Sequence, residues 1–222
     1  MSLITRIKYY FWASYRRRLL DKLQQKYSHI YRGTVLDIGG RDRGCFQKPK
    51  SRVSKWIFAD IETRHSPDMV LDVANMTTIN TESIDVVNAI ELFEHVGGID
   101  KGLDECYRVL KYGGNLILSV PFLSSIHADP YDFQRWTEGK WKMELTQRGF
   151  NLEIFVVMGK YFTILANMQR VFVNSLPFPF RQFGYVFYPL LDCLVRIDNS
   201  RWVINHPMLG RFHGGYFIVA KK

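Results

Sequence analysis

Residues 35–44 read VLDIGGRDRG. Two apolar residues lead to an acid at Asp37, and Gly39 and Gly40 follow at once, the pattern of a buried strand that empties into a glycine turn. Working outward, short β-branched runs recur at 34–38, 55–60, 69–73, 84–90, 115–120, 152–158 and 216–221, with polar turns or helical spacing between them. Ile99, Leu103, Cys106, Tyr107 and Leu110 keep helical spacing before the Gly113-Gly114 pair stops the helix. Strand, helix, strand repeated in this way forces a mostly parallel sheet with helices on both faces, because parallel neighbours need a crossover. In such a sheet the ligand lies outside the carboxyl ends of the strands, beside the first of them.

The rest of the composition is compatible with one α/β domain. The chain has 222 residues, 47% of them apolar and 15% aromatic, which excludes disorder as the main state. Cys45, Cys106 and Cys193 are isolated, with no C-x-x-C pair, so a reducing compartment is expected and a disulfide scaffold is excluded. Arg6, Lys8 and the arginines at 16–18 interrupt any secretory signal, and the apolar runs fall short of the ~18 residues of a spanning helix. The expectation is a cytoplasmic protein, peripheral at most to the inner face of a membrane. The net charge is +9, and residues 1–33 carry eight bases against Asp21 alone. Ile4, Ile7, Phe11, Tyr15, Leu19, Leu23 and Tyr27 form one stripe of a basic amphipathic helix there, suited to packing on the domain, to an anionic membrane or to nucleic acid. Residues 160–212 break the strand rhythm and are rich in Phe, Tyr, Leu, Pro and Arg. Short helices forming a cap are expected, with the aromatics as the core of that cap rather than an acceptor or lipid surface.

Two ligand classes compete for the glycine turn. In the dinucleotide pattern G-x-G-x-x-G the second glycine lets the backbone meet a pyrophosphate, and here that place is Arg41. S-adenosylmethionine has no phosphate, and its ammonium suits the carboxylate of Asp37. The chain resembles class I S-adenosylmethionine-dependent methyltransferases from about residue 34 to 150, on several separate stretches. VLDIGG resembles the family's first motif. FADIE places Asp60, followed by Ile61, at a second strand end, where a carboxylate can accept both ribose hydroxyls. MVLDVANM places Asp72 for the adenine amino group and Val73 for the ring. SIDVVNAIELFEHV sets Asn88 and Ala89 near the methionine end, and LDECYRVLKYGGNLILSVPF resembles the following helix and fifth strand, with Glu105 and Arg108 as a structural ion pair. The resemblance implies a Rossmann-like seven-stranded sheet of order 3-2-1-4-5-7-6 with the last strand antiparallel. Its domain is residues 34–222, the cap is an insertion at about 160–212, and the basic helix of residues 1–33 precedes it.

After the fifth strand, PFLSSIHADPYDFQRWT resembles an H-x-x-P-x-D-F-x-R-x-T segment of a subset of small methyltransferases. It presents His127, Asp132 and Arg135 where the acceptor would meet the methyl group. His127 is the expected base, Asp132 its orienting partner or an acceptor contact, and Arg135 either pairs with Asp132 or binds an anionic acceptor. Glu91, Glu94 and His95 carry ligand-type atoms but no HExxH pattern, and no metal is expected. His206 and His213 are read as structural. The expected acceptor is an oxygen of a glycan, lipid-linked sugar or small metabolite. The alternatives are a catalytically inactive binding module and an RNA methyltransferase. The amino-methylating DNA enzymes are set apart by an N-P-P-Y type motif that Asn88-Ala89-Ile90-Glu91 does not match.

Overall fold

A computed structural model of the chain describes residues 2–41, 44–127 and 131–222. Seven strands, β1 Gly33–Ile38, β2 Val53–Asp60, β3 Met69–Val70, β4 Ile84–Ile90, β5 Leu110–Pro121, β6 Asn151–Val157 and β7 Gly215–Lys221, form one sheet in the order β3-β2-β1-β4-β5-β7-β6. Only β7 runs antiparallel to its neighbours β5 and β6. The helices are α1 Leu3–Trp12, α2 Tyr15–Lys26, α3 Ile99–Val109, α4 Glu138–Gln147, α5 Tyr161–Ser175, α6 Phe180–Tyr185, α7 Tyr188–Ile197 and α8 Arg201–Asn205. The Rossmann-like order anticipated above is the one observed.

Strand alternation sends the central side chains to two cores. On one face Leu36, Val87, Ala89, Leu116 and Leu118 meet Leu103 and Cys106 of α3 and Trp141 of α4. On the other, Val35, Val86, Ile117, Phe217 and Val219 meet Leu20 of α2 and Tyr31. Thr137 caps α4 by accepting from the Lys140 N–H, and Arg108 is clamped on Glu105 at 2.7 Å, as expected of that pair.

Three expectations are corrected. The N-terminal segment is not one helix: α1 stops at Ala13, and Ser14 caps α2 by accepting from the Arg17 N–H at 3.1 Å. The break rotates the stripe, so that Ile4 and Ile7 are exposed, Tyr15 is buried and Leu20 rather than Leu19 is the fully buried leucine. The third strand ends at Val70, because Asp72 folds into a turn in which its carboxylate accepts from Ala74 N–H and its carbonyl from Asn75 N–H. Finally, β5 begins at Leu110, directly after α3. Leu110 pairs with Ile84 and Asn115 with Val86, so residues 111–114 bulge out, with Gly113 at φ +76°.

Since α2 supplies Leu20 to the sheet's core, residues 15–26 belong to the folded domain. Leu20→Ala is expected to cost about 2–5 kcal/mol in urea unfolding. A loss under about 0.5 kcal/mol, the scale of a surface change, would mean that α2 is an appendage.

Candidate functional site

Asp37 stands near the end of β1, paired in register with Phe58 of β2 and Asn88 of β4. Its carboxylate is almost fully buried and accepts from the Asn88 amide at 2.6 Å and the Trp56 indole N–H at 2.8 Å, with the Lys48 ammonium 3.4 Å away. Burial pushes this carboxyl up, and Asn88, Lys48 and Trp56 oppose that shift. The turn wraps the carboxylate so closely that a Cβ on Gly40 would lie 2.0 Å from Asp37 Oδ1. Only glycine fits that approach.

At the next strand end Asp60 accepts from the Glu62 N–H at 2.9 Å and from His65 Nδ1 at 3.0 Å. His65 Nε2 in turn meets the Arg41 guanidinium at 3.2 Å, which gives the arginine of the glycine turn a place beside the second strand end. Asp72 is exposed toward the same space, with Val73 buried beside it and Ile61 exposed. One cavity of about 880 Å³ is lined by Asp37, Gly39, Gly40, Asp60, Ile61, Asp72, Val73 and Asn88. Ala89 is the exception among the residues read from the sequence as donor contacts. It lies in the core with Val87 and Leu103, because successive side chains of β4 point to opposite faces and Asn88 takes the cavity side. Asp42 and Arg43 of the glycine turn lie outside the described residues.

Several wall residues had no local signal. Arg17, Asp21 and Gln24 come from α2, and Lys48 and Trp56 come from the segment leading into β2 and from β2 itself. Asp21 is buried and accepts from the Cys45 N–H at 2.8 Å and from the Tyr9 hydroxyl.

A second cavity of about 300 Å³ shares Arg17, Glu91 and His95 with the first and adds His127 and the α1–α2 joint. Its floor is charged. Glu91, at φ +54°, accepts from Ser119 at 2.7 Å and pairs with Arg16 at 2.5 Å. Burial opposes its charge, but Arg16, Arg17 and the Ser119 hydroxyl together hold the carboxyl below its usual range. Glu94 is its counterpart: 2% exposed, both carboxylate oxygens lack a hydrogen-bond partner among the described residues, and burial together with the Glu91 charge pushes it up to about 8. His95 Nε2 lies 3.8 Å and His127 Nε2 4.0 Å from Glu94 Oε1. The three ligand-type atoms fall within 4.8 Å of one another. With Glu94 held toward its neutral form, this cluster suits proton transfer.

The histidine tautomers follow from their partners. A carbonyl only accepts, so His95 donates from Nδ1 to Tyr131 O and His127 from Nδ1 to Ser125 O. His127 Nε2 is thereby left with its lone pair. Asp132 holds the loop by accepting from the His127 backbone N–H at 3.0 Å. Arg135 grips Asp132 through both guanidinium nitrogens and holds the carboxyl down at about 2. Pro130 of the loop motif lies outside the described residues. His206 Nδ1 accepts from two backbone N–H groups, and His213 Nδ1 sits 3.1 Å from the Tyr216 hydroxyl.

The Glu94 shift has a testable sign. Its folded pKa lies above its unfolded one, so the folded chain keeps an extra proton between the two values and loses stability as pH rises through that window. Glu94→Gln is expected to become the more stable form on going from about pH 5 to pH 8, by on the order of 3 kcal/mol in urea unfolding. An unchanged difference between the two pH values would show that Glu94 is solvated.

A family model described as a methyltransferase domain matches residues 47–118, about a third of the chain. No curated protein matches the sequence. Solved structures do match the fold. An S-adenosylmethionine-dependent methyltransferase from Archaeoglobus fulgidus is 18% identical with TM-score 0.56, covering 100% of both chains. Phosphoethanolamine N-methyltransferase 2 of Haemonchus contortus, in complex with S-adenosylmethionine, is 15% identical with TM-score 0.55, covering 91% of this chain and 52% of that one. The cyclase SpnF is 13% identical with TM-score 0.54, covering 91% of this chain and 79% of its own. At these identities the likeness is one of fold.

Proposed function

We propose, from the Rossmann-like methyltransferase fold that this chain has, that it transfers a methyl group from S-adenosylmethionine to an oxygen of a glycan, lipid-linked sugar or other small metabolite. The observation that carries this reading is the meeting of Asp37, Asp60 and Asp72, from three strand ends, at one cavity of about 880 Å³. That volume suits a nucleoside-sized ligand. The three carboxylates suit this one, since they answer hydroxyls, an amino group and an ammonium. The contact of Gly40 with the Asp37 carboxylate keeps the turn free of a side chain that would fill the cradle.

Asp60 would take the ribose hydroxyls, Asp72 the adenine amino group with Ile61 and Val73 beside the ring, and Asp37, Gly39, Gly40 and Asn88 the methionine end. When bound, the donor supplies a methyl group on positively charged sulfur, open to in-line attack. The chain's own work is alignment, which is worth up to about 7–11 kcal/mol, and proton removal. His127 Nε2 takes the acceptor's hydroxyl proton, and the Asp132 carboxylate, 3.7 Å from Nδ1, steadies the imidazolium that results. Asp132, neutralised by Arg135, fixes the loop that carries His127.

Titration calorimetry with S-adenosylhomocysteine tests the reading, followed by a labelled-methyl screen against lipid-linked sugars, phenols and carboxylates. Binding in the micromolar range and label in an oxygen acceptor are expected. No binding at hundreds of micromolar would overturn it. That result would favour a catalytically inactive binding module, for which the Lys48 ammonium seated near Asp37 is the supporting observation.

A further inference from the structure

The cap does not bury its aromatics as expected. Its core is small, with Tyr188, Leu191, Ala166 and Val173 gathered on Tyr15. Phe172, Phe183 and Phe187 of the cap, like Ile4, Ile7 and Trp12 of the N-terminal segment, are each at least half exposed. Exposed apolar area of this density marks an interaction site. The two groups belong to one body: Arg170 donates to the Tyr10 carbonyl, Tyr10 and Tyr15 both donate to Asp192, and the Phe11 and Tyr185 rings lie 4.7 Å apart.

Charge identifies the occupant. Residues 1–33 carry eight bases and one acid, and residues 160–212 carry six bases and two acids, whereas the remainder of the chain has slightly more acids than bases. Arg16 and Arg18 are paired with Glu91 and Asp192 and Arg170 is buried, but Arg6, Lys8, Arg196 and Arg201 are exposed on α1, α7 and α8, beside the outward aromatics of the same body. Among the described residues no helix is long and apolar enough to cross a membrane. Apolar side chains rimmed by Lys and Arg on short helices are the chemistry of a surface that lies on an anionic bilayer. The same body also borders the second cavity, since Trp12, Ala13, Ser14, Arg16 and Arg17 line it together with His127.

We propose that α1 and the outer side of the cap helices dock on an anionic membrane leaflet, and that the acceptor is a bilayer-anchored amphiphile whose head group enters the cavity at the α1–α2 joint. The docking half stands without the methyl-transfer reading, and the acceptor half rests on it.

The test is co-sedimentation of the full chain with phosphatidylcholine vesicles that contain about a third phosphatidylglycerol, compared with phosphatidylcholine alone. Binding to the anionic vesicles that weakens with added salt is expected. Ile7→Asp and Phe183→Asp should each weaken it by roughly tenfold or more, since each removes a membrane-buried side chain and adds a repelled charge. Both variants should keep the native circular dichroism spectrum and the native affinity for S-adenosylhomocysteine. Wild-type protein left in the supernatant with both vesicles would overturn the proposal, and so would aspartate variants that bind as well as wild type. A dimer that hides this face in solution without sedimenting with vesicles would do the same. Docking with no S-adenosylhomocysteine binding would sink the methyl-transfer reading alone.

Discussion

His127→Gln is expected to lower kcat by about 10²–10⁴ while leaving the affinity for S-adenosylhomocysteine within about twofold, the range general-base catalysis contributes. The asymmetry follows from placement. His127 lines the smaller cavity and is absent from the larger one, where the carboxylates of the strand ends gather. Its Nδ1 is committed to Ser125 O, so Nε2 is the nitrogen that can take a proton. Glutamine keeps an amide N–H for Ser125 but has no basic nitrogen. Steady-state rates with a saturating donor, beside calorimetry, separate the two effects. An unchanged kcat would remove His127 from the base role and leave it as a loop anchor. Equal losses of rate and donor affinity would mean that the loop had collapsed.

The other large effect is expected on the donor side. Asp60→Ala should weaken S-adenosylhomocysteine binding about a hundredfold or more, because two hydrogen bonds to a charged acceptor are worth about 1.5–3 kcal/mol each. Asp60 already accepts from Glu62 N–H and His65, and a carboxylate with four acceptor sites has room for two hydroxyls as well. Asp60→Asn distinguishes direct contact from local support. It retains one acceptor oxygen and should lose less affinity, whereas a position that merely propped up His65 would tolerate Asn with no loss. The readout is the dissociation constant by calorimetry, and affinity within threefold for the alanine variant would remove Asp60 from the ribose site.

Much of the sheet is legible because its central strands are buried on both sides and announce themselves as continuous apolar runs. VLDI at 35–38 and VVNAI at 86–90 needed no partner to be read. The carboxylates are legible for a similar reason: Asp37 and Asp60 lie at the ends of β1 and β2, and Asp72 follows β3 by two residues. What escaped the reading depends on contacts between distant segments. Nothing near Asp37 signals that Lys48 and Trp56 will meet it, or that Asp21 and Gln24 of α2 will line its cavity. Glu94 has the same sequence neighbours whether solvated or buried, so its raised pKa waits on the position of Glu91 and the packing around it. Ala89 follows Asn88 directly, and the alternation of the pleat turns its side chain to the opposite face, into the core. The single stripe over residues 1–27 failed at Ser14, where the preference of serine for a helix start overrode hydrophobic periodicity. The aromatics of the cap mislead because large apolar residues are ordinarily core material, and only the tertiary structure reveals which of them face outward.

The placement of α2 carries a lesson for protein engineering. One turn of this helix faces the interior through Leu20, while Arg17, Asp21 and Gln24 line part of the larger cavity and Arg16 holds Glu91. A chimera that exchanges the first 26 residues with those of a homologue would thus change part of the wall of the larger cavity together with the exposed face of α1, and an altered property of such a hybrid would report on both at once.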